Sequence, residues 1–146
     1  MRLSIKFGLA LTALSFLSEA VAVEFIPGQD VQQISSSAYV TLVEYFNPDC
    51  PHCEAMEPVI SDLERLYAPH LKVFKVNSPD PVLKEIYAVG GTPEILIFKD
   101  GELRYQVKGF MAFQGLKKLI ALPYSAKPGD YATLPTEITK GCCTDA

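Results

Sequence analysis

Histidine and cysteine are scarce in this 146-residue chain, with two and four residues respectively, and that scarcity limits its metal chemistry. A structural zinc site takes four ligands in short paired spacings. Only one C-x-x-C exists, Cys50-Pro51-His52-Cys53, and no H-x-x-x-H pair accompanies it. His70 and the adjacent Cys142 and Cys143 do not complete a set at ordinary spacing. Basic clusters are also missing. With 13 Lys and Arg against 17 Asp and Glu, the net charge is −4, which makes nucleic acid and anionic membrane poor partners. No apolar run is long enough to span a bilayer: the longest, Phe7 to Leu17, falls short, and Glu19 stops its extension. There is no internal repeat and no low-complexity tract.

That apolar run belongs to a secretory leader. Arg2 and Lys6 form a short basic segment, Phe7 to Leu17 the apolar centre, and Ala20-Val21-Ala22 a small-residue cleavage site. Cleavage after Ala22 would leave an exported protein, periplasmic or secreted, with a net charge of −5 and no stable membrane span; an uncleaved anchor is the alternative. No cysteine near the cleavage point suggests a lipid anchor. The remainder is one domain's worth of chain, large enough to bury a core without disulfide staples. In an oxidising compartment, its C-x-x-C then reads as chemistry more readily than as scaffolding.

The stretch Phe46-Asn47-Pro48-Asp49-Cys50-Pro51-His52-Cys53 lies between a β-like run, Tyr39 to Phe46, and a helix-like run ending at Tyr67. Pro51 suits the first helical position, which makes Cys50 the cap residue. A sulfur there faces unpaired backbone N–H groups and the positive end of the helix dipole, both of which favour thiolate. His52 adds a donor or positive charge beside it, while Asp49 and Glu54 oppose it. Cys53 falls on the apolar stripe Cys53, Met56, Ile60, Leu63, Tyr67, the inward face of an amphipathic helix. The expectation is one exposed, activated sulfur and one half-buried resolving sulfur, the asymmetry that thiol–disulfide exchange uses. A structural disulfide and half of a metal site are the competing readings.

Alternation in the first long strand groups Val40, Leu42, Glu44 and Phe46 on one face. Glu44 is the odd member of that apolar face. Buried there, it would hold its proton more tightly and serve as general base for Cys53; at a sheet edge it would simply be solvated. In the strand Leu71 to Asn77, Lys75 shares a face with Leu71 and Val73, and pairing beside the first strand would bring it to Glu44. A solvated lysine is the alternative.

The remaining segments are a short strand at Val23 to Ile26, a weak helix at Gln29 to Ser37, and helices at Pro79 to Val89 and Ala112 to Leu122. Strands at Glu94 to Lys99 and Glu102 to Lys108 are joined by Asp100-Gly101. Pro58 is expected to kink the first long helix. The order βαβαβαββα implies an α/β sandwich, a mixed sheet with helices on both faces. Residues 123–146 form an extension in which Pro123, Pro128, Gly129 and Pro135 deny long regular structure. It carries the vicinal pair Cys142-Cys143, read as passive, as a vicinal disulfide, as exchanging with Cys50, or as a link to another chain.

From Tyr39 to Leu122 the chain resembles the thioredoxin superfamily. The likeness rests on an ordered set: the strand, Cys50-Pro51-His52-Cys53, Pro58, Thr92-Pro93 before a strand, Phe98-Lys99-Asp100-Gly101, and Gly109. The resemblance implies a thioredoxin-like fold. It also implies a cis Pro93 packed against the cysteine pair, where the residues alone predict trans, with the Thr92 backbone pairing to an extended substrate. By the same match Glu44 stands where thioredoxins carry a buried aspartate, and Lys75 at its lysine partner. The chain departs from the pattern in having no tryptophan, and its Pro51-His52 dipeptide is similar to that of the periplasmic DsbA-type oxidants. The 39 residues between Cys53 and Pro93 are too few for the helical insertion of those oxidants.

These readings converge on an exported protein disulfide oxidoreductase, more oxidant or isomerase than reductase. Its expected partners are protein thiols or disulfides and an unidentified redox partner, with no cofactor and no metal. A thioredoxin-like chaperone or soft-metal carrier using the same cysteines is the alternative, and a structural adaptor indifferent to Cys50 is a third.

Overall fold

The seven residues from Val40 to Phe46 are all β-branched, aromatic or aliphatic apart from Glu44, and they form the central strand of the molecule. The computed structural model describes residues 23–36, 39–125 and 143–144. Its elements are β1 (Glu24–Phe25), a 3₁₀ turn (Gly28–Asp30), α1 (Val31–Ser35), β2 (Val40–Phe46), α2 (Pro51–Tyr67) and β3 (Leu71–Asn77). There follow α3 (Pro81–Tyr87), β4 (Gly91–Thr92), β5 (Glu94–Lys99), β6 (Glu102–Lys108), α4 (Phe113–Ser125) and β7 (Cys143–Thr144).

Five strands form one sheet in the order β1-β3-β2-β5-β6, and β4 pairs with β7 in a second, two-stranded sheet. β2 runs parallel to β3 and antiparallel to β5, so the main sheet is mixed. Its central position explains why Val40 to Tyr45 are all buried, including Glu44; the solvated edge is excluded. Alternation sorts the two faces as expected. Val40 and Leu42 pack with Met56, Ile60 and Leu63 of α2 and with Leu116 and Ile120 of α4. Val43 and Tyr45 pack on the other side with Val31 of α1 and Leu83 of α3. The result is the expected α/β sandwich, with helices on both faces of a mixed sheet.

The weak helix expected at Gln29 to Ser37 is a 3₁₀ turn and the short α1, and two other helix boundaries differ from expectation for a local reason. α3 starts at Pro81 rather than Pro79, because the Asp80 side chain caps it, accepting from Leu83 N at 2.9 Å and from Gly28 N at 3.1 Å. α4 runs to Ser125, past Pro123, which was expected to begin the irregular extension. A proline in the last turn has helical φ and deprives only the Leu119 carbonyl of its donor. α2 is a single helix with Pro58 inside it. The leader and most of the extension, including Cys142, lie outside the described residues.

Candidate active site

β2 delivers the chain to the site and α2 takes it away. Between them Asn47 organises the turn: its side-chain oxygen accepts from Asp49 N at 2.9 Å, and its carbonyl from Cys50 N at 3.1 Å. Cys50 then caps α2 in an extended conformation, φ −98° and ψ 113°, with Pro51 at the first helical position. Its carbonyl receives the amides of Cys53 at 3.0 Å and Glu54 at 3.2 Å, the first bonds of the helix. The cap position of Cys50 therefore holds, but its side chain makes no capping hydrogen bond to the first helical amides.

The expected exposure of Cys50 does not hold. The residue is only 4% exposed, against 5% for Cys53, and both are free thiols. Cys50 sits beneath the loop at β4: its Sγ donates to the Thr92 carbonyl at 3.4 Å, and Thr92 and Pro93 are themselves buried. The Thr92-Pro93 peptide is cis, as the resemblance implied and base rates did not. Two further X–Pro bonds, Ala68-Pro69 and Ser78-Pro79, are cis as well. The Pro93 carbonyl accepts from Gly109 N at 2.8 Å, which ties this loop to the end of β6.

Access does not separate the two thiols, which are covered to the same extent. Burial pushes the Cys53 thiol up to about 12. A hydrogen bond with the Asn47 backbone partly offsets this, while the hydrogen bond and charge of Cys50 and the charge of Glu44 add to it. Glu44 lies on the same face of β2. Burial raises its carboxyl to about 7, against the pull of Lys75 and with help from the charge of Glu57.

The register places Glu44 opposite Lys75, and Lys75 Nζ stands 3.2 Å from Glu44 Oε2. Among the described residues neither Glu44 oxygen receives a well-aligned hydrogen bond, so the contact is an ion pair by distance alone. The stronger partner of the ammonium is Glu57 of α2, which takes its hydrogen bond, and the Phe46 ring lies 5.2 Å from Nζ. Burial alone would loosen the Lys75 proton, but the Glu57 hydrogen bond and the charges of Glu44 and Glu57 outweigh it and hold the ammonium more tightly.

Cys50, Cys53, Glu44, Lys75, Thr92 and Pro93 therefore gather around one end of β2. His52 is half-buried in the first turn of α2, and Asp49 and Glu54 are exposed. The sequence reading missed Glu57. Its signal was there: it lies four residues after Cys53, on the same side of α2 and flanking the apolar stripe. Among the described residues, no group of three or more His, Cys, Asp or Glu side chains is placed to hold a metal ion.

Comparison with known proteins agrees with this geometry. A family model described as Thioredoxin matches residues 24–122. The chain is 39% identical over 69 residues to a chloroplastic M-type thioredoxin of Triticum aestivum, covering 47% of this chain and 39% of that protein. It is 32% identical over 72 residues to thioredoxin 1 of Synechococcus elongatus, covering 49% and 67%. The match thus spans from about two fifths to two thirds of those curated relatives. Among solved structures, a chain from a study of thiol resolution in yeast mitochondrial 1-Cys peroxiredoxin superposes with a TM-score of 0.62. At 18% identity, over 68% of this chain and 94% of that one, it speaks to the fold alone.

Proposed function

The chain belongs to the thioredoxin family, and from there we propose that it is a thiol–disulfide oxidoreductase acting on proteins through Cys50 and Cys53, more as oxidant or isomerase than as reductase. One observation carries the reading. The thiol of the residue at the helix cap lies one turn from a second thiol held at about 12, beside a buried carboxyl at about 7. The first is the sulfur that substrates exchange with, and the second cannot react until its proton is taken.

In the oxidising direction a substrate thiolate attacks the Cys50 sulfur of the Cys50–Cys53 disulfide, and Cys53 leaves as thiolate and takes up a proton from Glu44. The substrate's second thiolate then attacks its own sulfur in the mixed disulfide, and Cys50 leaves. In the reducing direction Cys50 thiolate attacks a substrate disulfide. Cys53 gives its proton to Glu44, attacks the Cys50 sulfur, and releases the reduced substrate. Lys75, held by Glu57, is a positioning residue that keeps the Glu44 carboxylate accessible as a base. Thr92 and Pro93 form the surface against which an extended substrate lies. His52 supports the oxidising direction, since a cation or donor at the helix start favours reduced Cys50.

Equilibrating the protein with glutathione tests both class and direction. A Cys50–Cys53 potential between about −120 and −180 mV supports oxidant or isomerase. A value near −270 mV supports a reductase, the second reading, which the likeness to thioredoxins of chloroplasts and cyanobacteria favours. Failure to form the Cys50–Cys53 disulfide at any glutathione ratio would overturn the whole class. We further propose that residues 1–22 are a cleaved leader delivering the domain 23–122 and its extension 123–146 to the periplasm or medium. N-terminal sequencing of the exported protein checks this, and a mature chain retaining Met1 refutes it.

A further inference from the structure

β4 is a two-residue strand beside the capping sulfur, and its edge is already taken. β7, from the C-terminal extension, pairs with it antiparallel, with Thr144 opposite Gly91 and Cys143 opposite Thr92. Thr92 is the residue whose carbonyl accepts the Cys50 thiol. Any strand on this edge is thereby aligned at the reactive sulfur, and the strand found there carries a cysteine at the register position of Thr92. A second observation bears on it independently. Cys50 is read as reacting with sulfurs of other proteins, yet it is 4% exposed in this arrangement of the chain.

We propose that the segment at Cys143 is an internal strand partner of the site, occupying the β4 edge where a substrate would pair and exchanging its thiol with Cys50. The inference deepens the oxidoreductase reading and rests on it. The step needs no outside oxidant. Cys143 thiolate attacks the Cys50 sulfur of the Cys50–Cys53 disulfide, so that the Cys50–Cys143 bond forms as the Cys50–Cys53 bond breaks. The electron pair of the broken bond goes to Cys53, which is protonated by Glu44. The number of disulfides is unchanged, and Cys53 restores the original bond by attacking Cys50 in the reverse step. The enzyme thus has a self-paired form in which the reactive sulfur is masked. An external substrate must compete with a strand tethered to the same chain.

The full chain bearing Cys53→Ser, equilibrated with oxidised glutathione, tests the exchange, since glutathione activates Cys50 and Cys53 can no longer reverse the outcome. Acid quenching, alkylation and peptide mapping should find Cys50 joined within one chain to the peptide bearing Cys143. That link should survive an added Cys142→Ser and vanish with Cys143→Ser. Cys50 found only as its glutathione adduct would overturn the inference while leaving the oxidoreductase reading intact. A disulfide-linked dimer through Cys143 would overturn it too, because the strand would then come from a second copy. Cys50 inert to glutathione would sink both. Truncation after Lys140 tests the occupancy separately. The KM for an external protein disulfide should fall about fivefold, the order expected for releasing a two-residue strand pairing, with kcat unchanged. An unchanged KM refutes it.

Discussion

Glu44→Gln isolates the cost of a buried carboxylate, and its signature is a change in stability with pH. Glu44 is fully buried in the central strand and titrates at about 7, whereas the same side chain in the unfolded chain ionises near 4.5. Below 4.5 both states hold the proton and the group is neutral in the balance. Between 4.5 and 7 the unfolded chain has released it and the folded protein has not. Stability therefore falls as pH rises through this window, by roughly 3 kcal/mol in all, and levels off above 7. Glutamine keeps the shape and cannot ionise, so the variant lacks this decline while other titrations cancel in the comparison. Urea unfolding of both proteins at steps from pH 4.5 to 8 gives the difference directly. At an ordinary urea dependence the variant's midpoint should gain roughly 1–3 M relative to the parent across the window. The offset between them at low pH depends on how well the amide is accommodated; only the pH dependence is diagnostic. A difference that stays flat from pH 4.5 to 8 would show that Glu44 titrates normally, and the proton-acceptor role argued for it would go with it.

Lys75→Met removes the main charge opposing the rise at Glu44, so the stability decline should still begin near 4.5 but extend beyond 7; an upper end that stays put would mean Glu57 rather than Glu44 is the pair that matters. In the reduced protein at pH 8, iodoacetamide should modify Cys50 well before Cys53, and the Cys53 rate in a Cys50→Ser variant should climb about tenfold per pH unit beyond pH 9; comparable rates at both thiols would contradict the proton asymmetry. Gly28→Ala drives a Cβ into Asp80 Oδ1 and Leu83 Cδ1, displacing the α3 cap. Loss of about 1–2 kcal/mol is expected in chemical denaturation, with the glutathione equilibrium of Cys50–Cys53 unaffected.

What was legible in the sequence was whatever depends on near neighbours or on strict period. Pro51 after Cys50 located the helix start, alternation in Tyr39 to Phe46 assigned both faces of β2, and the 3-4-3 spacing from Cys53 identified the inward side of α2. Glu44 and Lys75 were found because a charge on an apolar face is conspicuous; their pairing needed only two neighbouring strands in register. What escaped depends on contacts made at a distance. Cys50 bonds to Thr92, 42 residues away, and the strand at Cys143 pairs with β4 from a distant part of the chain. Neither has a periodic or compositional trace. Glu57 escaped for another reason: an exposed glutamate on a helix is ordinary, and its role appears only once Lys75 is known to cross beneath it.

Burial of both sulfurs changes how the chemistry has to be ordered. If Cys50 were exposed and Cys53 covered, access alone would decide which reacts first. With 4% and 5% exposure it cannot, and in the proposed reaction the order rests on the proton held by Cys53. In the dithiol, a base at about 7 is poorly matched to a thiol at about 12, so Glu44 does not ionise Cys53 while Cys50 is free. Two of the effects that hold the Cys53 proton come from Cys50 itself, its hydrogen bond and its charge. Both disappear when the Cys50 sulfur is taken up in a mixed disulfide. Burial, the largest effect, remains; in the proposed reaction, capture of a partner by Cys50 therefore lowers the hold on the Cys53 proton, in the direction that favours transfer to Glu44. A thiol held back only by distance would lack this ordering, because it could attack whenever thermal motion closed the gap.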